Sequence, residues 1–484
     1  MKRRKFIGNL AGPGIVTLGV NVRLMGQTIL STESFSVEQF EDKGLAHFSY
    51  AVMAEKKIIL IDPQRNPQGY YDFAQKNAAK IVGVIETHPH ADFVSSHLEV
   101  HKEFNVPIYS SSLTKSKYPL TPFDEGELIK LSEKVVLRSL FTPGHAPDHI
   151  AVVLVEDGKE KIVFSGDSLF LGDVGRPDLL DYSKESDKQR KHLAELMYDT
   201  IHEKFAKLHD DVIVYPSHGA GSLCGKSIRK AASSTIGYEK QTNYAFEKRS
   251  KDEFVKLLLS DQPFIPKYFA HDVRLNNEGA AAMKISLAKV KVLPKNHQPA
   301  SNAIIIDSRP QNHFKNSHLK NAINIQSTGP FETWLGSIVA PESKFYLVAG
   351  DEQGLETAIM KSASIGYEDN IEGTFIYDAT NGERTEAFDV SSFNPSDNSF
   401  TYLDVRSARE CSSQPILEGS INIPLYELAD RMSEIPNDKP ILVYCGSGYR
   451  SATGASIIQR QLPSVKVYDL SKEVSKYIKT HSPK

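Results

Sequence analysis

A chain of 484 residues and 53.8 kDa is too long for one ordinary core, and its length predicts roughly three domains. An apolar fraction of 40% beside 24% charged residues is that of a globular protein. A formal net charge of -3, with no basic run to track phosphates, excludes a nucleic-acid surface. Three widely spaced cysteines, Cys224, Cys411 and Cys445, exclude a disulfide framework and a Cys-x-x-Cys metal knuckle.

The chain opens with Arg3-Arg4 before Phe6-Ile7 and an apolar stretch from Leu10 to Gly19, the pattern of a twin-arginine export signal. Gly12, Pro13 and Gly14 interrupt that stretch, and no small-x-small cleavage site stands near Met25. Residues 1–34 are therefore expected to be a leader that directs the chain to the periplasm; a basic, frayed terminus on a cytoplasmic protein is the alternative. No other segment is long and apolar enough to span a bilayer.

Residues 35–248 alternate short strands with helical stretches, the pattern of a layered α/β domain. Lys57 to Asp62 reads as a strand and Tyr70 to Ala79 as an amphipathic helix. The strand Ile81 to Thr87 delivers His88 at its end; Val135 to Thr142 and Lys161 to Ser165 deliver His145 and Asp167. Val212 to His218 repeats the theme. Residues 249–290 lose this pattern and read as a connecting region with a helix from Phe254 to Leu259. An internal repeat follows, predicting two copies of one α/β domain at 291–385 and 386–484. Ile306-Asp307-Ser308-Arg309 recurs as Leu403-Asp404-Val405-Arg406, and Ala322-Ile323-Asn324-Ile325 as Ser420-Ile421-Asn422-Ile423. Tyr346-Leu347-Val348-Ala349 matches Leu442-Val443-Tyr444-Cys445, so Ala349 occupies the place of Cys445.

Two segments carry chemistry. Cys445-Gly446-Ser447-Gly448-Tyr449-Arg450-Ser451 joins a strand to a helix, where a thiol meets backbone N–H groups and the positive end of the helix. Such a cradle suits a thiolate or a persulfide anion. Cys224 and Cys411 sit in no such loop and read as bystanders. Thr87-His88-Pro89-His90-Ala91-Asp92-Phe93 has the residue types and spacing of a metal-binding loop. His97 and His101 lack an acidic partner at ligand spacing and read as a solvated helix face. His149 has no motif of its own.

The first of these segments resembles the rhodanese active-site loop, and Asp404-Val405-Arg406 and Asn422-Ile423-Pro424-Leu425 resemble that family's other landmarks. The resemblance implies Cys445 and Arg450 as catalytic residues, a persulfide loop of Gly446, Ser447, Gly448 and Tyr449, and an earlier copy without a nucleophile. The amino-terminal region resembles the persulfide dioxygenase branch of the metallo-β-lactamase superfamily. Thr87 to Asp92, Thr142-Pro143-Gly144-His145, Gly166-Asp167, Gly172 to Asp178 and Tyr215 to Ser222 carry this likeness. The implied fold is an αββα metallo-β-lactamase fold followed by two rhodanese-like α/β domains.

In that family's His-x-His-x-Asp-His signature, Phe93 stands where the last histidine belongs. The resemblance implies one Fe(II) per chain on His88, His145 and Asp167, with His90, Asp92 and His218 orienting ligands, and Arg176 holding the thiol carrier. Two imidazoles and a carboxylate with open positions suit non-haem iron and oxygen chemistry. The expected activity is oxidation of a low-molecular-weight thiol persulfide by O2 to sulfite, with sulfur transfer to or from thiosulfate at Cys445. Two alternatives stay open. One is a two-zinc glyoxalase II-type thioester hydrolase fused to a sulfurtransferase, with Asp92 and His218 holding a second metal; the other is a sulfur relay through Cys445 alone. The carrier thiol, the oligomeric state and any cleavage of the leader are left open.

Overall fold

The computed structural model describes residues 26–179, 186–389, 393–394 and 397–471. The twin-arginine segment lies outside the described residues. Gln27–Ser31 already forms a strand, paired antiparallel with Ser36–Asp42, so the folded domain starts before residue 35.

Two sheets face one another. The first has seven strands in chain order, running from Gln27–Ser31 to Thr121–Pro122. The second has six, with Lys159–Gly166 between Ile150–Glu156 and Ile213–Pro216. Both are fed by apolar, β-branched runs such as Lys57–Ile61 and Ile150–Glu156, which suit strands covered on both faces. Val52, Ile59, Ile61 and Ile85 of the first sheet meet Leu137, Val152, Ile162 and Phe164 of the second in one core. The outer faces are covered by helices. Gln68–Lys76 brings Tyr70, Phe73 and Ala74 onto the first sheet, and Ser186–Asp199 and Lys251–Leu259 bring Met197 and Leu258 onto the second. This is the expected αββα arrangement.

Residues 249–290 are more than a connection. The helix Lys251–Leu259 starts at a capping box of Ser250 and Glu253, a device worth about 1 kcal/mol. The helix Phe269–Glu278 braces the metal-loop backbone: Asn276 Nδ2 donates to the carbonyls of His90 and Phe93, at 2.8 and 2.7 Å.

The repeat resolves into two all-parallel four-stranded sheets of identical order, with the first strand of each between the second and third. In both copies an Asp–Arg pair follows the first strand, Asp307–Arg309 and Asp404–Arg406, each closing at 2.6 Å. In both an asparagine from the second strand bridges the carbonyls flanking that pair at 2.9 Å, Asn324 in one and Asn422 in the other. The copies dock through the helix Tyr449–Gln461, whose run of small residues lets the chains approach closely. Thr453 Oγ1 donates to the Asn324 carbonyl and Ser456 Oγ accepts from the Asn324 amide, at 2.7 and 3.0 Å. The first copy also grips the sheet sandwich: Arg65 and Glu368 form a buried ion pair at 2.6 Å, and the Val94 amide donates to the Ser364 carbonyl at 2.9 Å. Among the described residues no helix is long and apolar enough to cross a membrane.

Candidate metal centre and sulfur-transfer loop

Three strand ends converge. His88 follows Lys80–Ile85, Asp167 follows Lys159–Gly166, and His145 follows Val135–Phe141. His88 Nε2 and His145 Nε2 face Asp167 Oδ2 at 3.9 and 3.5 Å, and all three side chains are buried. Neighbours fix both tautomers. Thr87 Oγ1 donates to Asp62 at 3.0 Å, so it accepts from His88 Nδ1–H at the same distance. His145 Nδ1–H donates to the Arg176 carbonyl at 2.8 Å, which can only accept. Each ring therefore presents a bare Nε2 lone pair, the arrangement a metal-binding histidine needs.

Burial, then His90, pushes the His88 imidazole well below its usual range. Against burial, His218, His145 and His88 hold the Asp167 carboxyl well below the usual carboxylate range. A neutral His88 and His145 beside an ionised carboxylate are the protonation states that ligation requires, whereas, against burial, Asp167 and Asp92 hold the His218 imidazole well above its usual range.

The loop geometry leaves no slack. Gly166 has φ 55°, and a Cβ there would strike His149; a Cβ at Gly175 would strike the Asp167 carbonyl and His145. His149 is fully used, with Nε2 accepting from the Asp167 amide at 2.9 Å and Nδ1 meeting the Thr142 and Ser168 hydroxyls.

His90 and Asp92 point into the same space. His90 Nε2 lies 3.4 Å from Asp62, and Asp92 Oδ2 lies 2.7 Å from His218 Nε2. His218 Nδ1 reaches Asp167 Oδ1 at 2.8 Å, so this ring spans two carboxylates. Phe93 is packed flat on His47 with ring centroids 3.8 Å apart and has no donor to offer. Among the described residues, donor atoms gather within 4.8 Å in three overlapping sets: His88, His90 and Asp167; His90, Asp92 and His218; His145, Asp167 and Cys224. His88 Nε2, His90 Nε2, Asp92 Oδ1 and Asp167 Oδ2 are buried without a hydrogen-bond partner, as is His218 Nε2 apart from its ion-pair contact with Asp92. Buried polar atoms are rarely left so, and the sets His88, His90 and Asp167 and His90, Asp92 and His218 each fit a bound cation.

Several residues stand where the sequence did not place them. Cys224 is a buried neighbour of Asp167, its thiol pushed well up by burial and then by Asp92, and not a remote bystander. His47, fully buried with both ring nitrogens unpartnered, lies 5.7 Å from the His90 ring and 5.3 Å from the His218 ring. Asp62 accepts from the Thr87 amide and the Ser217 hydroxyl and so ties two loops together. His97 is buried against Tyr118, not solvated.

Arg176 departs most from expectation. It is 1% exposed, and its fork is closed on Asp178 at 2.6 and 2.8 Å. Its remaining donor goes to the carbonyls of Leu223 and Phe264 at 3.3 and 3.4 Å. Its fork is already paired with Asp178, and it braces the backbone of those two residues. Both line a cavity of ≈ 180 Å³ that opens on Asp92.

At the second centre, Cys445 Sγ is buried and accepts from the amides of Gly448 and Ser451 at 3.1 and 3.4 Å. Gly446 and Ser447 form the exposed tip of the loop. Arg450 is clamped on Glu410 at 2.5 and 2.7 Å, and Tyr449 Oη donates to the Gln326 carbonyl of the other copy at 2.7 Å. Cys411 lies off this loop on the helix Ala408–Ser413.

Facing sheets that present buried histidines and aspartates at strand ends, joined to a cysteine loop between parallel strands, define a metal-binding domain coupled to sulfurtransferase-type domains. The chain belongs to the metallo-beta-lactamase superfamily: that model matches residues 42–218, and the rhodanese-like domain model matches 291–378 and 394–478. A crystal structure of a metallo-beta-lactamase from Staphylococcus aureus is 30% identical, with TM-score 0.63, covering 71% of this chain and 99% of that one. Hydroxyacylglutathione hydrolase GloC of Haemophilus influenzae is 27% identical over 212 residues, 39% of this chain and 87% of that protein. The structure of ETHE1 from Myxococcus xanthus is 22% identical, with TM-score 0.43, covering 50% of this chain and 97% of that one.

Proposed function

We propose that the first domain is a one-metal persulfide dioxygenase and that Cys445 carries the sulfur transfer coupled to it. The observation that carries this reading is Phe93, a ring without a donor packed against His47 and His90 at the position where the signature has a histidine. His218 lies between the Asp92 and Asp167 carboxylates at 2.7 and 2.8 Å. His88 Nε2 and His145 Nε2 both face Asp167 Oδ2, at 3.9 and 3.5 Å, and these three would hold the metal. An Fe(II) held there would supply oxygen activation beside a bound sulfur. The balanced reaction is RSSH + O2 + H2O giving RSH, bisulfite and a proton.

The chain's own residues supply position. Thr87 and the Arg176 carbonyl lock the two imidazoles, Asp62 holds the metal loop, and Arg176 shapes the cavity wall. Cys445, once it carries a sulfane sulfur, can pass it to sulfite as thiosulfate or take one back.

A two-metal thioester hydrolase is the second reading. The set His90, Asp92 and His218 and the likeness to GloC favour it. Oxygen uptake with glutathione persulfide, followed with sulfite release and beside hydrolysis of a glutathione thioester, separates the two. One O2 consumed per sulfite formed with no thioester cleavage is expected. Thioester cleavage without oxygen uptake overturns the proposal.

A further inference from the structure

The rhodanese-like copy without a nucleophile forms a wall of the cavity that opens on Asp92. Pro330, Thr333 and Trp334 belong to that copy, at or within its helix Phe331–Ile338, and they close the cavity opposite Leu45, Phe264 and Tyr268. Trp334 is 8% exposed and stacks on Phe264 at 5.8 Å with 21° between the ring planes. Phe264 stacks in turn on Tyr426 of the cysteine-bearing copy at 4.0 Å and 6°. Among the described residues none lining the cavity carries a positive charge, and the one acid there, Asp92, faces His218 at 2.7 Å. Arg176, the buried cation behind the wall, is spent on Asp178.

We infer that this domain is the specificity element of the metal site, and that Trp334 selects persulfides whose sulfur sits on an uncharged arm. The inference rests on the dioxygenase reading for the identity of the reacting group. A sulfur that reaches past Trp334 toward Asp92 takes the first few atoms of its carrier into an aromatic enclosure. Pantetheine presents two methylenes and an amide there. Free cysteine presents an ammonium and a carboxylate within three bonds of sulfur, and neither finds a partner in the wall. Burying unpaired polar or charged groups is costly enough to discriminate by about tenfold or more. Charged groups farther along a longer carrier remain outside in water.

Trp334 is the chain's single tryptophan, so its fluorescence reports occupancy of this cavity whatever the chemistry. With the full-length holoprotein, titration with pantetheine is expected to shift the emission saturably, and free cysteine at the same concentrations is expected to leave it unchanged. In oxygen uptake, kcat/KM for pantetheine persulfide should exceed that for cysteine persulfide by about tenfold. Trp334→Ala should narrow that ratio toward unity through KM with kcat held. Trp334→Phe, which keeps a ring in the wall, should retain the ratio to within about twofold.

An emission shift of equal size with both thiols, or none with pantetheine, overturns the inference without any variant having to fold. An unchanged ratio in folded Trp334→Ala overturns it as well. A pantetheine-selective shift with no oxygen uptake on any persulfide supports the selectivity of the cavity and removes the dioxygenase reading instead.

Discussion

In the copy that carries Cys445, the amides of Gly448 and Ser451 converge on the sulfur at 3.1 and 3.4 Å. In its sibling the matching position is Ala349, the last residue of the strand Phe345–Ala349, and the helix-starting amide of Gly354 is taken by the carboxylate of Asp351 at 2.7 Å. The frames are otherwise alike in strand order, in the Asp–Arg pair and in the asparagine bridge. The sibling is held more tightly. Arg309 donates also to the carbonyls of Ser317 and Tyr377, and Asn324 is fully buried where Asn422 is half-buried. That copy has Ala349 in place of the cysteine. Its surfaces instead brace the helix after Cys445, meet the metal loop at Val94 and wall the cavity with Trp334. Two copies of one fold thus differ in that one carries a cysteine loop and the other packs against its neighbours.

The comparison breaks first at the thiol. Cys445→Ser keeps the cradle and loses the nucleophile, so thiosulfate formation should fall by about a thousandfold or more while oxygen uptake stays near the parent rate. Ala349→Cys on that background should restore nothing, because the neighbouring Asp351 carboxylate disfavours a thiolate and occupies the amide. Sulfite and thiosulfate measured together decide both. Thiosulfate at parental levels from Cys445→Ser would place sulfur transfer elsewhere.

The frames differ next in stability. Asn324→Ala leaves the buried carbonyls of Asp307 and Arg309 without their donor, and should cost about 3 kcal/mol. Asn422→Ala, half-exposed, should cost about 1 kcal/mol. Denaturant unfolding of the full chain measures both, and equal losses would remove the contrast.

The smallest contrast is in pH. Arg450, beside the thiol loop, holds the Glu410 carboxyl down to about 2, whereas burial pushes Glu332 in the sibling up to about 7 despite Lys361. Glu410 therefore contributes stability above the usual carboxylate range, and that contribution is lost as pH falls toward 2. Glu332 works in the opposite sense: the folded chain keeps its proton, and stability is lost as pH rises from about 4.5 through 7. Glu332→Gln should flatten that upper slope by on the order of 1–2 kcal/mol, read from Tm between pH 5 and 8. A slope unchanged in Glu332→Gln would assign it to another group.

Local patterns were legible wherever neighbouring residues carry the signal. The strands that present His88, His145 and Asp167, the turn that cradles Cys445 and the doubled Asp-x-Arg and Asn-Ile landmarks all declare themselves within a few positions. What stayed hidden is made by distant parts of the chain. His47 enters the site because its strand lies beside His218, and nothing around it in sequence marks it. Cys224 reaches Asp167, and Asn276 caps the metal loop, from segments without chemical motifs. His97 reads as solvated because only the fold sets Tyr118 and Glu86 over it. Arg176 misled for a nearer reason: Asp178, two residues on, sits where a bidentate carboxylate partner was readable in the sequence.

The first domain is expected to work with one metal because Phe93 leaves the second position one donor short. His218 and Asp92 already face one another at 2.7 Å, so a single added donor should open that position to a cation. Metal content of the parent and of Phe93→His, each purified with iron and zinc both supplied, tests this most directly. One iron per parent chain is expected, lost with oxygen uptake in His88→Ala, His145→Ala or Asp167→Ala, with a second equivalent of metal only in Phe93→His. Two zinc ions in the parent, or stoichiometric iron retained after any of the three alanine changes, would contradict it.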